Sequence, residues 1–432
     1  MKSCIKWGCI QPLTGGMYIG AENAIGQKAD WVLSYSGFSD IKTDENGKIT
    51  TAGNEYNLLK WCEKHNDIPT YQLFNKSPFE SYSNVEDVEI IDDAVWTKGK
   101  VDYSNTDLVV SVPVCSGLSK ATIAKDSTKD LRNNNMLFNT EYALKVISPK
   151  IYIFENAPAL FSNAGTHVRD ILNKLAQKYG YSICYYRTDT KYHDNVQKRK
   201  RTFVFFIKHR GNNKGCPEFR YEHVTPTIPE YFSRIPKNAT QNIPNELPEL
   251  YKYIMDFVLE CQGENFRDEK GLWSGEIILR SGEKFYKWLD KCDAPAKIVD
   301  KLKRMADHMH EKREAGKNFY VVAPCWFNEK EETAPVCMFR MINSVFHYKE
   351  NRMMTTREWL HLMGHPADFE LYGDPAINNQ KIGQNVPVRT AQFIVSEAVR
   401  IINEWDTIHR NNPEIYMFDN TIVKKTNTKK LF

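Results

Sequence analysis

The chain has 432 residues, of which 41% are apolar and 26% are charged, with a net charge of +4 at pH 7. These values indicate about two or three packed domains, and they exclude a disordered chain, a fibrous protein and a polycation. No stretch of about 18 apolar residues is present, and the N-terminus lacks the apolar core of a signal peptide, so we expect a cytoplasmic protein with no membrane partner. The ten cysteines form no C-x-x-C pair, which predicts free thiols and no metal site.

Short apolar runs alternate with amphipathic stretches through the first half of the chain. The predicted strands are 9–13, 31–35, 70–74, 107–112, 150–155 and 201–207, and the predicted helices are 56–65 and 167–180. Strands separated by helices predict an α/β fold with a doubly wound, mostly parallel, Rossmann-like sheet covered on both faces.

The pattern changes after residue 212, where a segment rich in Pro, Asn and Gly leads into a second region. There we predict helices at 247–261 and 295–315 and strand-like segments at 275–286, 320–329 and 335–343. A last amphipathic helix is predicted at 387–402, with Pro387 in its first turn. The sequence thus predicts a main domain at 1–212, a smaller mixed domain at 213–348 and a returning segment at 349–432.

Two residues that can carry chemistry follow predicted strands of the first domain. Cys115 lies beyond the run DLVV, in the small-residue segment SVPVCSGLS, and Glu155 closes the run KIYIFE. Because ligands of parallel sheets collect at the carboxyl ends of the strands, both positions are candidates for an active site. Alone, such a cysteine is more often a small buried residue and such a glutamate a surface charge.

Basic residues cluster in two places. Seven Lys or Arg and no acidic residue lie between 198 and 214, interleaved with an apolar strand, which favours contact with phosphates. The second cluster, at 424–430, is more typical of a solvated tail.

Taken in order, several short segments resemble the motifs of the DNA cytosine-5 methyltransferases. The similar segments are V-C-S-G-L-S (114–119), E-N-A (155–157), Q-K-R-K-R (197–201), R-M-M-T-T-R-E-W-L-H-L-M-G-H-P-A-D-F (352–369) and I-G-Q-N-V-P-V (382–388). The resemblance covers most of 10–210 and 350–402 and leaves the middle domain out. It implies a class I methyltransferase fold in which the middle domain recognises the target.

The resemblance also implies the catalytic residues. Cys115 would add to carbon 6 of cytosine as a thiolate, which makes carbon 5 nucleophilic, and we expect its pKa to be lowered. Glu155, with a raised pKa, would share a proton with ring nitrogen 3, next to Asn156 of the same motif. Arg199 would hold the carbonyl of the base and keep Glu155 in place, whereas Arg201 has either a chemical or a structural role.

S-adenosyl-L-methionine is the cofactor that the resemblance implies. The corresponding donor-binding residues are Pro12, Thr14, Gly15, Gly16, Asp93, Val114 and Asn385. Asp93 is chosen by spacing alone, and Asp92 is its alternative.

The donor side departs from the family pattern. Leu13 replaces the first glycine of the cofactor loop, Val114 replaces the proline before the cysteine, and Gln384 precedes Asn385 where Asn-Ser or Asn-Ala is usual. The acid expected after the second strand, for the ribose of the donor, is absent from 31–37. A modified sulfonium donor is therefore an alternative.

We expect the substrate to be double-stranded DNA, methylated at a specific short sequence. The predicted DNA contacts are Ser119, Gln197, Lys198 and Lys200. A base inside a duplex cannot reach Cys115, so the target would be flipped out, while the loop 120–130 closes over the DNA. We further expect a monomer, from a bacterial or phage restriction-modification setting. RNA as the substrate, or a catalytically silent DNA-binding relative, are the alternatives.

Overall fold

The structure is a computed structural model that describes most of the chain. The described residues are 4–35, 41–66, 69–74, 90–92, 101–115, 118, 134–220, 223–244, 246–262, 274–316, 327, 329–334 and 345–421. In this part of the chain no helix is both long and apolar enough to cross a bilayer.

The secondary structure follows the alternation that the sequence predicts. The strands are β1 (Trp7–Ile10), β2 (Trp31–Ser34), β3 (Ile41–Thr43), β4 (Ile49–Ala52), β5 (Thr70–Phe74), β6 (Ile90–Asp92), β7 (Leu108–Ser111), β8 (Ile151–Asn156), β9 (Tyr181–Asp189), β10 (Lys200–Lys208) and β11 (Ile415–Asp419). The helices are α1 (Gly16–Ile25), α2 (Asn54–Lys64), α3 (Asn134–Tyr142), α4 (Thr166–Tyr179), α5 (Ile228–Ser233), α6 (Glu249–Gln262), α7 (Ser274–Ser281), α8 (Glu283–Leu289), α9 (Ala296–Glu314), α10 (Thr356–Leu362), α11 (Pro375–Ile382) and α12 (Val388–Asn403).

Within the described residues, nine strands form one sheet in the order β11-β9-β10-β8-β7-β1-β2-β5-β6, and β3 pairs with β4 as a separate hairpin. The pairs β1–β2, β2–β5, β1–β7, β7–β8 and β9–β11 are parallel, whereas β5–β6, β8–β10 and β9–β10 are antiparallel. The chain order reverses between β1 and β7, and this switch point opens a crevice beyond the carboxyl ends of the strands. The predicted doubly wound, mostly parallel sheet is confirmed.

The central strands are apolar along their whole length because helices cover both faces of the sheet. All residues of β7 and β8 are buried. Alternate residues of β8 enter different cores: Ile151 and Ile153 pack on one face, and Tyr152 and Phe154 pack on the other. Continuous burial of this kind is typical of a two-sided parallel sheet.

The first and the last helices of this domain lie side by side. An added Cβ at Gly20 of α1 would lie 2.5 Å from the Cβ of Ala391 of α12, so the two backbones approach closely. The segment that returns at the end of the chain therefore completes the core on that face, with Ile394, Val395 and Ala398 buried. The predicted last helix is confirmed, except that Pro387 caps it from outside rather than lying in its first turn.

Helices α6–α9 build a separate core in the middle of the chain, around Phe257, Ile278, Phe285 and Met309. The predicted helices at 247–261 and 295–315 are confirmed as α6 and α9. The strand predicted at 275–286 is wrong, because this segment forms α7 and α8, separated by Gly282 at a φ of 53°. Three consecutive apolar residues favour a strand locally, but burial against the neighbouring helices selects the helix.

The outer strands β6, β9 and β11 escaped the sequence analysis. β9 has nine residues and pairs with β10 and β11. Because β8 and β10 are antiparallel, the start of β10 lies at the edge where β8 ends, with Thr202 opposite Asn156 and Phe203 opposite Glu155. This reversal brings the Q-K-R-K-R segment to the carboxyl edge of the parallel strands.

Candidate active site

Cys115 and Glu155 lie at the same edge of the sheet. Cys115 follows β7 by four residues and packs, partly buried, against the core beneath α3 and α4. Glu155 belongs to the end of the neighbouring parallel strand β8 and is 4% exposed. The two groups are close enough for the charge of Glu155 to act on the thiol.

Arg201 is the ion-pair partner of Glu155, with Nε 2.6 Å from Oε1. The sequence analysis assigned this contact to Arg199. In the structure, Arg199 Nη2 instead donates to the carbonyl oxygens of Gly383 and Asn385, at 2.8 and 3.0 Å, and ties β10 to the segment before α12. Arg201 belongs to β10, which pairs with the strand that carries Glu155, whereas Arg199 precedes β10.

Burial dominates the electrostatics of the pair. Burial raises the pKa of the Cys115 thiol and the charge of Glu155 raises it further, whereas Arg201 and Arg199 lower it. The expectation of a lowered thiol pKa is therefore wrong for this structure. Burial also raises the pKa of Glu155, against the lowering effect of the two arginines, and this agrees with the raised pKa expected for it.

Asn135 holds the backbone in front of the nucleophile, and the sequence analysis did not assign it a role. It lies at the start of α3, is fully buried, and its Oδ1 accepts a hydrogen bond from Val114 N at 2.9 Å. Its Nδ2 has no hydrogen-bond partner within the described residues. The three consecutive asparagines at 133–135 were the available signal, because buried amides usually serve a polar partner.

The side chain of Asn156 also forms a hydrogen bond with the backbone. Its Oδ1 accepts from Ala157 N at 2.8 Å, and its Nδ2 lies 3.3 Å from the sulfur of Met136. The side chain is completely buried. These contacts shape the turn after β8, beside Glu155.

The predicted DNA contacts divide into buried and exposed residues. Lys198 and Lys200 are exposed, alternating with buried neighbours, so they can reach phosphates. Gln197 is fully buried and its Nε2 donates to Leu362 O at 3.3 Å, so a contact with DNA is not compatible with this arrangement. Ser119 lies outside the described residues, as does the loop 120–130.

The turn between β1 and α1 is built against the segment before α12. An added Cβ at Gly16 would lie 1.8 Å from Val386 O, so only glycine fits there. Asn385 Oδ1 accepts from Gly16 N at 3.0 Å and from Val386 N at 2.9 Å. Gly15 adopts a φ of 93°, which L side chains rarely take. Both glycines are therefore required by the geometry of the turn.

Leu13, which stands where the family pattern has a glycine, adopts a left-handed backbone conformation. Its φ is 53°, and Gln11 has a φ of 55° on the other side of the buried Pro12. A left-handed conformation costs a bulky residue about 1–2 kcal/mol. The turn therefore stores strain at Leu13.

A buried carboxylate lies where the ribose acid is missing from the sequence. Glu55, in the first turn of α2, accepts hydrogen bonds from Ser34 Oγ at the end of β2 and from Tyr71 OH in β5. The hairpin β3–β4 separates Ser34 from Glu55 along the chain, which hid the residue from an analysis by spacing. An acid in the first turn of the next amphipathic helix was the signal.

The residues of this edge fit a sulfonium nucleotide donor. Thr14 Oγ1 is buried without a hydrogen-bond partner in the described part of the chain, and Glu55 places a carboxylate at the end of β2. Asp93 lies outside the described residues, and Asp92 ends β6.

A doubly wound sheet with a glycine turn after its first strand, and a cysteine and a buried acid at its carboxyl edge, is a class I methyltransferase fold. The model of the C-5 cytosine-specific DNA methylase family matches residues 64–400. The chain belongs to this family, as the sequence motifs predict, and it is a DNA (cytosine-5-)-methyltransferase.

Its relatives are distant. The chain is 22% identical over 304 residues to the type II methyltransferase M1.HphI of Haemophilus parahaemolyticus, covering 70% of each chain. It is 22% identical over 284 residues to the type II methyltransferase M.PspPI of a Psychrobacter species, covering 64% of this chain and 59% of that one. The solved Entamoeba histolytica methyltransferase EhMeth is similar with a TM-score of 0.47 at 12% identity, covering 93% of this chain and 98% of that chain.

Proposed function

We propose that this enzyme transfers a methyl group from S-adenosyl-L-methionine to carbon 5 of a cytosine that is flipped out of double-stranded DNA at a specific short sequence. The observation that carries the proposal is the Cys115–Glu155–Arg201 arrangement, a thiol and an acid paired with a cation at the carboxyl edge of the sheet. When bound, the donor supplies an electrophilic methyl group. The residues described above prepare the cytosine for it.

The covalent steps use Cys115 and Glu155. The thiolate of Cys115 adds to carbon 6 of the ring while ring nitrogen 3 receives a proton from Glu155, so carbon 5 becomes an enamine carbon that accepts the methyl group. Loss of the carbon 5 proton to a base, elimination of the thiolate and return of the nitrogen 3 proton to Glu155 then release 5-methylcytosine and regenerate the enzyme. Burial raises the pKa of Glu155, which favours its protonated form.

Substrate binding would lower the pKa of the Cys115 thiol. A thiol with a raised pKa is a poor nucleophile, so the arginines must act on it more strongly once a cytosine fills the space beside Glu155. While Glu155 is protonated and donates a hydrogen bond to ring nitrogen 3, it is neutral and does not raise the pKa of the thiol. The site therefore becomes reactive only with the base in place.

DNA binding would use exposed cations and the middle domain. Lys198 and Lys200 offer phosphate contacts next to the active-site strand, and unstacking a base costs a few kcal/mol that such contacts offset. We assign target recognition to residues 213–348 and the donor contacts to Thr14, Gly15, Gly16 and Glu55. We further propose a monomer, cytoplasmic and of bacterial or phage origin, that serves restriction-modification, as the type II names of its relatives suggest.

Trapping on a duplex that contains 5-fluorocytosine tests the proposal. The fluorine blocks proton loss from carbon 5, so wild-type enzyme with S-adenosyl-L-methionine should form a stable adduct, and Cys115→Ala should form none. Bisulfite sequencing of DNA from cells that express the protein would report the target sequence. If a mixed-sequence library gives no adduct with the donor present, a silent DNA-binding relative is the better description.

A further inference from the structure

A cavity of about 260 Å³ lies away from the thiol, between the loop before β10, the segment 228–236, α10 and the start of α12. The lining residues that matter here are Asp194, Tyr231, Arg234, Arg357, His365 and Arg389. Three of these are arginines and one is a carboxylate. The cavity therefore carries a surplus of positive charge in the described structure.

The cations are held in place by contacts that leave part of their hydrogen-bonding capacity free. Arg234 Nη1 and Arg389 Nη2 donate to opposite oxygens of Asp194, at 2.8 and 3.1 Å. Arg357 donates to neutral acceptors, among them Thr240 O at 2.9 Å. Burial lowers the pKa of Arg357 to about 10, so it stays charged at neutral pH. Arg234 Nη2 also donates to Glu230 Oε1 at 2.8 Å, and Arg389 Nη1 donates to Gln392 Oε1 at 2.9 Å. Each guanidinium has five N–H groups, so both arginines still have donors beyond these contacts.

His365 supplies a buried donor to the same cavity. Asn385 Oδ1 already accepts two backbone N–H groups, so its Nδ2 must donate to His365 Nε2, which lies 2.8 Å away. A neutral imidazole that accepts at Nε2 carries its proton on Nδ1. This Nδ1 is buried and has no hydrogen-bond partner among the described residues, and a buried donor without a partner costs about 1–3 kcal/mol.

We propose that this cavity binds a phosphate group, through Arg234, Arg389 and the Nδ1–H of His365. A tetrahedral anion accepts from several guanidinium donors at once, and it would satisfy the buried imidazole donor. The same imidazole is bonded to Asn385, which holds Gly16 N. Occupancy of the cavity would thus reinforce the turn between β1 and α1 over a path of two hydrogen bonds, and this coupling rests on the proposed use of that turn for the methyl donor.

The phosphate could belong to the DNA backbone or to a free phosphate ion, and both sources share this chemistry. Isothermal titration of the full-length protein with inorganic phosphate, against sodium chloride at equal ionic strength, tests for the site. Arg389→Gln should weaken phosphate binding about tenfold or more, as expected for loss of a charge-assisted hydrogen bond. Lys174→Gln, which removes an equal charge from the exposed surface of α4, should leave binding unchanged.

Variants of His365 separate the role of its Nδ1–H as a hydrogen-bond donor from the role of its ring in packing. His365→Phe keeps the ring stacked on Phe369 but removes both nitrogen atoms, so it should weaken phosphate binding. His365→Gln can accept from Asn385 and donate into the cavity, so it should restore binding in part. Equal phosphate affinity in wild type, Arg389→Gln and His365→Phe, or no heat beyond the chloride control, would overturn the proposal.

Two further experiments identify the source of the phosphate group and test whether its binding is coupled to the binding of the methyl donor. If the DNA backbone fills the cavity, inorganic phosphate should compete with a duplex oligonucleotide, and Arg389→Gln should weaken both. If a free ion fills it, phosphate and duplex should bind independently, and phosphate should increase the affinity for S-adenosyl-L-methionine. Phosphate binding without any binding of S-adenosyl-L-methionine would support the phosphate site and contradict the proposed donor. Adduct formation without phosphate binding would support the proposed function and contradict the phosphate site.

Discussion

Arg201 Nε lies 2.6 Å from Glu155 Oε1, so an antiparallel strand delivers a cation to the acid at the end of a parallel one. Glu155 and Arg201 act in opposite directions on the neighbouring thiol, because a negative charge disfavours the thiolate and a positive charge favours it. The pKa of the Cys115 thiol therefore depends on both Glu155 and Arg201, and it can be measured directly.

Glu155→Gln should lower the pKa of the Cys115 thiol, because the substitution removes the negative charge that raises it. Arg201→Gln should raise that pKa. The rate of alkylation by iodoacetamide, measured on the Cys115 peptide by mass spectrometry between about pH 7 and 10, gives both values. In the ligand-free wild type the rate should still be rising above the pH at which an exposed thiol levels off.

The exposed Cys4 serves as an internal reference in the same digests. Its profile should be identical in all three proteins. A Cys115 profile that does not move in either variant would show that the two side chains do not act on the thiol.

Asn135→Ala should slow adduct formation on 5-fluorocytosine DNA. The substitution leaves Val114 N without its partner next to the nucleophile, which costs about 1–3 kcal/mol where the group stays buried. Asn135→Asp keeps an acceptor for Val114 N but removes the Nδ2 donor. If the acceptor alone matters, the aspartate variant should retain most of the adduct rate, measured at saturating donor.

Retention of the full rate by Asn135→Ala would contradict a positioning role. An unfolding curve in urea for each variant separates a loss of global stability from a local effect on the loop. We expect a smaller change in unfolding free energy than in the logarithm of the rate for Asn135→Asp.

Leu13→Gly should be more stable than Leu13→Ala by about 1 kcal/mol, because only glycine adopts a φ of 53° without strain. Both variants lose the same leucine packing, so their difference isolates the backbone. At an ordinary position the order is reversed, since glycine loses more entropy on folding. Urea denaturation of the two variants measures the difference, and an alanine variant equal to or above the glycine variant would contradict it.

Glu55→Gln should weaken the binding of S-adenosyl-L-methionine about tenfold or more. The amide keeps one acceptor for Ser34 and Tyr71 but loses the charge, and hydrogen bonds to charged acceptors are worth about 1.5–3 kcal/mol. Tyr71→Phe is the matched control, because it removes one partner of Glu55 and leaves the carboxylate.

Isothermal titration with S-adenosyl-L-methionine gives the two affinities. A Tyr71→Phe protein that loses as much affinity as Glu55→Gln would assign Glu55 to the packing of α2 rather than to the donor. Near-normal affinity in Tyr71→Phe, with the loss confined to Glu55→Gln, is the result that we expect.

Local patterns were sufficient for the parallel half of the sheet. The runs that end before Cys115 and at Glu155 are short and largely apolar, which is typical of strands buried on both faces, and both segments form such strands. Their carboxyl ends then meet at one edge, which brings the two residues together. The last helix was equally predictable from the spacing of its apolar residues.

Residues that act through partners distant in sequence were not predictable in this way. Glu55 is separated from Ser34 by a hairpin, and the role of Asn135 depends on a backbone N–H 21 residues away. The segment at 274–289 contains a run that suits a strand, but it packs as two helices against α6 and α9. In each case a contact across the fold outweighed the local preference.

The order of residue types along the chain was enough to predict that Cys115 and Glu155 follow neighbouring strands and that a glycine turn follows the first strand, because hydrophobic period and motif spacing are properties of neighbours in sequence. The tertiary structure decided three further points: which arginine pairs with Glu155, which carboxylate lies at the end of β2, and how acidic the thiol is. These points depend on the antiparallel direction of β10 and on burial. Those outcomes arise from charges and dipoles brought together out of water, and only the folded arrangement determines that environment.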